Sequence, residues 1–263
     1  MPKFFVSNNQ IVDKVITIMG DDVKHIANVL RLQKGDKIVV GNKDTEVTYH
    51  AKIAEIIKEK VICEIIGEVK ERAESNIEVT VFQGLPKADK MEYIIQKTTE
   101  LGVKKIVPVA MKRCIVKLSK QDESKKIARW QKIAEVAAKQ SGRDIIPMIE
   151  NITNVVEIKE KIQEYDLFLV AYEEEKVNTL KNELKNIQLP NMTENIESKA
   201  KENITGTFLK IGVVIGPEGG LEKQEVEELK MNGAKIITLG NRILRTETAS
   251  LAVLSNIMYE FEM

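Results

Sequence analysis

Ile211-Gly212-Val213-Val214-Ile215-Gly216-Pro217-Glu218-Gly219-Gly220-Leu221 is the stretch that decides how this chain reads: an apolar run with the character of a buried strand, emptying into a glycine-rich turn. The pattern returns downstream. There Ile236-Ile237-Thr238 leads into Leu239-Gly240-Asn241-Arg242-Ile243-Leu244-Arg245-Thr246-Glu247-Thr248-Ala249-Ser250. Open α/β sheets hold ligands outside the carboxyl ends of their strands, so two such turns close in sequence imply one ligand held between them. Glycine admits positive φ and lets backbone come close to a ligand. The first turn has neither the GxGxxG spacing of a dinucleotide site nor the Gly-Lys-Ser/Thr of a phosphate loop; alone, it is as readily a plain tight turn. The second turn adds chemistry. Thr246 suits a helix cap and Glu247 a helix start, which is the plain reading of both. Arg245, at the mouth of a strand–turn–helix beside another glycine turn, is placed to meet an anion or a polar ligand.

The rest of the chain supplies the frame. Of 263 residues, 43% are apolar, enough for a real core in one large or two modest domains. The 40 basic and 40 acidic residues cancel, so any nucleic-acid contact must come from a local basic face. Cys63 and Cys114 stand alone in apolar runs, and His25 and His50 are isolated. No ligand spacing of a metal site is present, and the cysteines read as small core residues. With no secretory pattern and no apolar run of about 18 residues, the chain reads as cytoplasmic with no membrane partner.

Residues 1–72 read as a small β-rich unit, with strands over Lys37–Val40, Val47–Ile57 and Lys60–Ile66. One helix near Asp21–Leu30 places Val23, Ile26, Ala27 and Leu30 on a shared face. From about residue 76 strands alternate with helices. Strands fall at Ile77–Phe82, Ile106–Val109, Leu167–Ala171, Ile211–Ile215 and Ile236–Leu239. Helices fall at Asp89–Leu101, Glu123–Gln140, Thr153–Gln163, Glu222–Met231 and Thr246–Phe261. That alternation predicts a mostly parallel sheet with covered faces. The polar stretch from Asn182 to Gly206 reads as a partly disordered surface insertion.

Four ordered motifs carry a resemblance. They are Pro86-Lys87-Ala88-Asp89-Lys90-Met91-Glu92 with Gln96–Gly102, then Gln140-Ser141-Gly142-Arg143 with Pro147, then Ile215–Leu221, then Leu239–Ser250. With His25–Leu32 and Gly35-Asp36 near the N-terminus, the whole chain resembles the RsmE family of SPOUT methyltransferases, which methylate N3 of one uridine in small-subunit (16S) ribosomal RNA. The resemblance implies a PUA-like β-barrel RNA-binding domain over 1–72 and an α/β SPOUT domain with a trefoil knot over 73–263, working as a homodimer. It implies S-adenosylmethionine (SAM) as cofactor, held by Ala171, Gly216, Pro217, Glu218, Gly219, Leu239, Gly240, Ile243, Leu244 and Arg245. It implies 16S rRNA or the small ribosomal subunit as partner, met by Lys3, His25, Arg31, Lys87, Lys90 and Arg143. Arg245 is expected to stabilise the developing anion or orient the base, with Glu247 or Glu100 as proton acceptor and a water as an equal candidate. Two departures stand out: Lys3 where the family often has arginine, and Glu222 where it often has a serine cap. A non-catalytic assembly protein of the same fold and a ribose 2′-O-methyltransferase are the alternatives.

Overall fold

The computed structural model describes residues 1–71, 73–187 and 209–262. The chain divides into two compact units, one of Met1–Glu74 with Glu135–Ile146, the other of Ser75–Ala134 with Pro147–Met263.

The first unit is a curled six-stranded sheet. Its strands are β1 (Lys3–Val6), β2 (Ile11–Val12), β3 (Val15–Met19), β4 (Lys37–Asn42), β5 (Thr48–Ile57) and β6 (Lys60–Glu68), in the order β1-β4-β5-β6-β3-β2. β1 runs parallel to β4; the other pairings are antiparallel. Alternate residues point inward, as a strand's period of two requires. Phe4 and Val6 from one end of the order join Ile16 and Ile18 from near the other in a single core with Ile38, Val40, Ile53 and Val61. Cys63 lies in that core, and burial pushes its thiol up to about 12.

The helix expected over Asp21–Leu30 is shorter and wider. An α-turn (α1, Asp21–Lys24) passes into a π-turn over His25–Val29, closed by Leu30 N–H donating to the His25 carbonyl at 2.9 Å. The extra residue in that turn rotates the following position. Val23 and Ile26 stay buried while Leu30 is exposed.

The boundary expected at residue 72 leaves out part of this unit. Asp144 accepts from Lys3 Nζ at 2.5 Å, from Thr48 Oγ1 at 2.9 Å and from the Ala73 amide at 2.7 Å. Arg143 pairs with Glu74, whose Oε1 also accepts from the Asp144 amide at 2.8 Å. Burial pushes the Asp144 carboxyl up, but those three donors outweigh it and hold it below its usual range. Removing one member of such a cluster leaves another charge buried and unpaired, which is why Glu135–Ile146 stays with the N-terminal strands.

The second unit is built on β7 (Ile77–Gly84), β8 (Lys105–Ala110), β9 (Met148–Ile149), β10 (Thr153–Asn154), β11 (Leu167–Ala171), β12 (Leu209–Ile215) and β13 (Lys235–Ile237). Their order is β10-β8-β7-β12-β11-β13, with β9 also on β8, and every pairing is parallel. The helices are α2 (Lys90–Glu100), α3 (Lys120–Ser141), α4 (Val155–Lys161), α5 (Leu180–Lys185), α6 (Lys223–Met231) and α7 (Thr246–Phe261). α2 ends as its sequence predicts, with Gly102 at φ 96°. Residues Thr153–Asn154 are strand rather than helix. Asn154 caps α4 by accepting from the Glu157 amide, so the helix starts two residues later than expected.

Phe82, Tyr165 and Phe168 pack at 5.2–5.8 Å between ring centres, Tyr165 edge to face with both and the two phenylalanines tilted. Gly212 faces Phe168, where a Cβ would meet the ring at 2.4 Å. After the edge strand β13, the chain returns as α7 to pack on the central strands β7 and β12. The expected polar insertion is only partly as read. Leu180–Lys185 is a helix capped by Thr179, with Leu180 and Leu184 buried, while 188–208 lie outside the described residues. Among the described residues no helix is long and apolar enough to cross a membrane.

Candidate functional site

Three parallel strands of the second unit end side by side. Ala171 of β11 pairs with Ile215 of β12 on one flank and with Ile237 of β13 on the other. The loops that follow therefore leave from one level, at the carboxyl edge of the sheet, and enclose a cavity of about 450 Å³. That is the size range of small-molecule sites. Every residue the sequence assigned to a cofactor lies along it: Ala171, Gly216, Pro217, Glu218, Gly219, Leu239, Gly240, Ile243, Leu244 and Arg245. Sequence reasoning missed Tyr172, Glu173 and Lys176, and assigned Lys90 to RNA rather than to this cavity. The first three follow the Leu167–Ala171 strand as Gly216 follows β12, but with no glycine to mark the turn.

The Gly216–Gly220 turn is held from several sides. A Cβ on Gly84, at the end of β7, would lie 2.7 Å from the Pro217 ring and backbone nitrogen, so the turn packs directly on that strand end. Gly220 has φ 70°, a conformation L-residues rarely adopt. Glu218 accepts from the Lys87 amide at 3.1 Å and pairs with Lys90 Nζ at 3.1 Å. Burial pushes the Glu218 carboxyl up, yet its own and the Lys87 backbone N–H and the Lys90 ammonium win and hold it below its ordinary range. Arg113 Nη1 donates to the Gly219 carbonyl at 3.2 Å. Next to the turn, the Glu222 amide donates to Glu225 Oε2 at 3.0 Å, so α6 begins on a glutamate after all, secured by the carboxylate three residues on.

The second turn is open by contrast. Gly240 has φ 108° with nothing near the place of a Cβ, and its amide donates to Thr238 Oγ1 at 3.2 Å. Asn241, Arg242 and Ile243 are exposed, Ile243 to 85%.

Arg245, not Thr246, occupies the N-cap of α7, and no side chain caps that helix. The Thr246 hydroxyl faces inward instead, donating to the Gly216 carbonyl at 2.7 Å. The Arg245 guanidinium, at the cavity wall, makes no ion pair or hydrogen bond among the described residues. Glu247 sits behind the wall. Its Oε2 is buried, and the Lys90 ammonium at 3.2 Å is its charged neighbour. Lys90 thus bridges carboxylates from both turns, and the hydrogen bond it donates to Glu218 is the main cause that raises its pKa. Glu100 lies at the far end of α2, exposed and paired with Lys97 at 2.8 Å.

The six basic residues expected to meet RNA divide on structural grounds. His25, Arg31 and Lys87 are exposed. Lys90 is half-buried and bound to Glu218 and Glu247. Lys3 and Arg143 are buried against Asp144 and Glu74, so their charge is neutralised inside the first unit and the expectation of phosphate contact is corrected for both.

Two family models match the chain. A model of an RNA methyltransferase domain matches residues 73–258, and a model of an RNA methyltransferase PUA domain matches 18–66. The chain is 37% identical to the ribosomal RNA small subunit methyltransferase E of Bacillus subtilis, covering 100% of this chain and 98% of that one. It is 32% identical to the protein of that name from Aquifex aeolicus, over 93% of this chain and 94% of the other. Among solved structures, it is similar to the Neisseria gonorrhoeae ribosomal RNA small subunit methyltransferase E bound to S-adenosylmethionine. That match has a TM-score of 0.79 and 30% identity, over 98% of this chain and 97% of that chain.

Proposed function

The chain belongs to the ribosomal RNA small subunit methyltransferase E family, and from that premise we propose that it is a SAM-dependent 16S rRNA methyltransferase whose acceptor is N3 of a uridine. The observation that carries the reading is the Arg245 guanidinium, unpaired among the described residues, on the wall of a cavity whose neighbouring cation, Lys90, is already committed to two carboxylates.

The residues fit the cofactor. Leu239, Ile243 and Leu244 offer apolar surface to an adenine. The turns at Gly216 and Gly240 bring backbone donors and acceptors to the same space, and the Glu218 carboxylate lies on the wall for a cationic group. When bound, SAM supplies an electrophilic methyl on a sulfonium. The protein must then prepare the acceptor. N3 of uridine carries a proton and attacks poorly until that proton leaves, so the site has to stabilise a developing anion on the base and hold it in line. Arg245 does both: its charge is uncompensated, and its planar fork orients a base carbonyl as well as attracting it. Glu247 is the side-chain candidate to take the proton, held by Lys90 close behind Arg245 in sequence; water is the other.

RNA is met by exposed cations, His25 and Arg31 in an RNA-binding domain over 1–72 and Lys87 in the methyltransferase domain over 73–263, with the protein working as a homodimer in the cytoplasm. The test is mass spectrometry of nucleosides from 16S rRNA or small subunits treated with the protein and SAM. 3-Methyluridine is the expected product. A 2′-O-methylated nucleoside overturns the choice of acceptor, and no SAM binding by calorimetry at micromolar protein overturns the enzyme.

A further inference from the structure

Between the two turns of the cavity lies a buried polar network with no part in the chemistry above. Gln83, at the end of β7, is fully buried, and Thr246 and Ser250 on α7 are nearly so. Gln83 Nε2 donates to Thr246 Oγ1 at 2.8 Å and to the Gly84 carbonyl at 3.0 Å. Thr246 Oγ1 passes its own proton to the Gly216 carbonyl at 2.7 Å. Ser250 Oγ donates to Gln83 Oε1 at 2.5 Å. One hydroxyl therefore joins a strand end, the first glycine of one turn and the first helical residue after the other.

We propose that Thr246 and Gln83 are positioning residues that set the separation of the two cavity turns, and with it SAM affinity, by tying the Gly216 carbonyl to the start of α7. Surface complementarity alone would not require this. An apolar Val has the shape of Thr and would fill the same space, but would strand a part-buried carbonyl and one buried Gln83 N–H, which are expensive to leave without partners. A fully bonded network fixes one geometry, whereas apolar packing tolerates small slides. Gly84 strengthens the point, because Pro217 occupies the space of its missing Cβ and the turn, strand end and helix start meet with no slack. Arg245 immediately precedes Thr246, so a shift of the tie shifts the proposed catalytic guanidinium as well.

The inference rests on the SAM reading of the cavity, and the experiment separates the two. Full-length wild type, Thr246→Val and Thr246→Ser are titrated with SAM by calorimetry and assayed for methyl transfer to small-subunit rRNA. Thr246→Val is expected to raise Kd and KM for SAM about tenfold, the loss of roughly one good hydrogen bond, with a smaller change in kcat. Thr246→Ser keeps both hydrogen bonds and restores affinity. If Thr246→Val lowers Tm but binds SAM as wild type does, or if Ser fares no better than Val, the tie is merely structural and the proposal falls. Should Thr246→Val fail to fold, Ser250→Ala, which removes the side-chain bonds to Gln83 Oε1 and to the Thr246 carbonyl but leaves the Thr246 hydroxyl in place, is read instead: a weaker rise in Kd is expected, and an unchanged Kd overturns the proposal. Wild type that binds no SAM brings down the proposed function itself, a different result from any variant effect.

Discussion

The two glycine turns of the cavity do opposite things. Gly216–Gly220 is fixed from outside by Gly84, Arg113, Lys87, Lys90 and Thr246, with one glycine at positive φ. Leu239–Arg245 carries more of the side-chain chemistry yet is tethered lightly, and its Ile243 is exposed to 85%. Rigidity in one wall fixes where a ligand sits and lowers the ordering cost of binding. Openness in the other leaves apolar and cationic groups uncovered. On the proposed reading, the molecule separates holding from reacting.

The sharpest way to break that comparison is at Arg245. Arg245→Ala is expected to leave SAM binding near normal and to lower methyl transfer by about 10²- to 10³-fold, the scale of a lost anion-stabilising donor; single-turnover rates at saturating SAM check it. Next, matched alanines probe the two turns. Gly84→Ala drives a Cβ into Pro217, a rigid overpacking expected to cost about 1–3 kcal/mol and to weaken SAM binding. Gly240→Ala meets open space and pays chiefly for its positive φ, about 1–2 kcal/mol. Urea unfolding with SAM titration ranks them, and a larger loss of affinity for Gly240→Ala reverses the assignment of rigid and open walls.

Ile243→Ser should weaken SAM binding by a few-fold to about tenfold while leaving stability of the free protein unchanged, since the side chain gains burial only with a ligand. The smallest effect is the pH dependence of the fixed turn. The Glu218 carboxyl sits below its unfolded value, so its contribution is present above the ordinary glutamate range, near about 4.3, and fades as pH falls through the lower folded value. For a partly exposed pair this amounts to less than about 1 kcal/mol. Glu218→Gln should remove that slope from a stability–pH curve.

What could be read from sequence was local. Apolar runs such as Leu167–Ala171 gave strands within a residue or two, because buried parallel strands need continuous apolar side chains. Short β1 and β3 were not legible: Lys3–Val6 and Val15–Met19 are strands because of partners far along the chain, β4 and β6. The same limit governed the site. Gly216, Gly240 and Arg245 were visible because glycine turns after strands are a local signal. Tyr172, Glu173 and Lys176 join them only because β11 lies between β12 and β13.

Charge was where a residue's own chemistry misled most. Lys3 and Arg143 have the composition of phosphate contacts, and Lys90 does too. Asp144 stands 141 residues from Lys3, Glu74 stands 69 from Arg143, and Glu218 and Glu247 face Lys90 from two separate turns. Sequence alone determined the two-part division in outline, the alternation that makes a parallel sheet, and the two glycine turns that line the cavity. Tertiary structure alone decided which cations are neutralised and which remain free, and that Thr246 ties two turns together instead of capping a helix. The physical reason is that backbone periodicity is written in neighbours, whereas the fate of a charge or a hydroxyl depends on what folding brings within hydrogen-bonding distance.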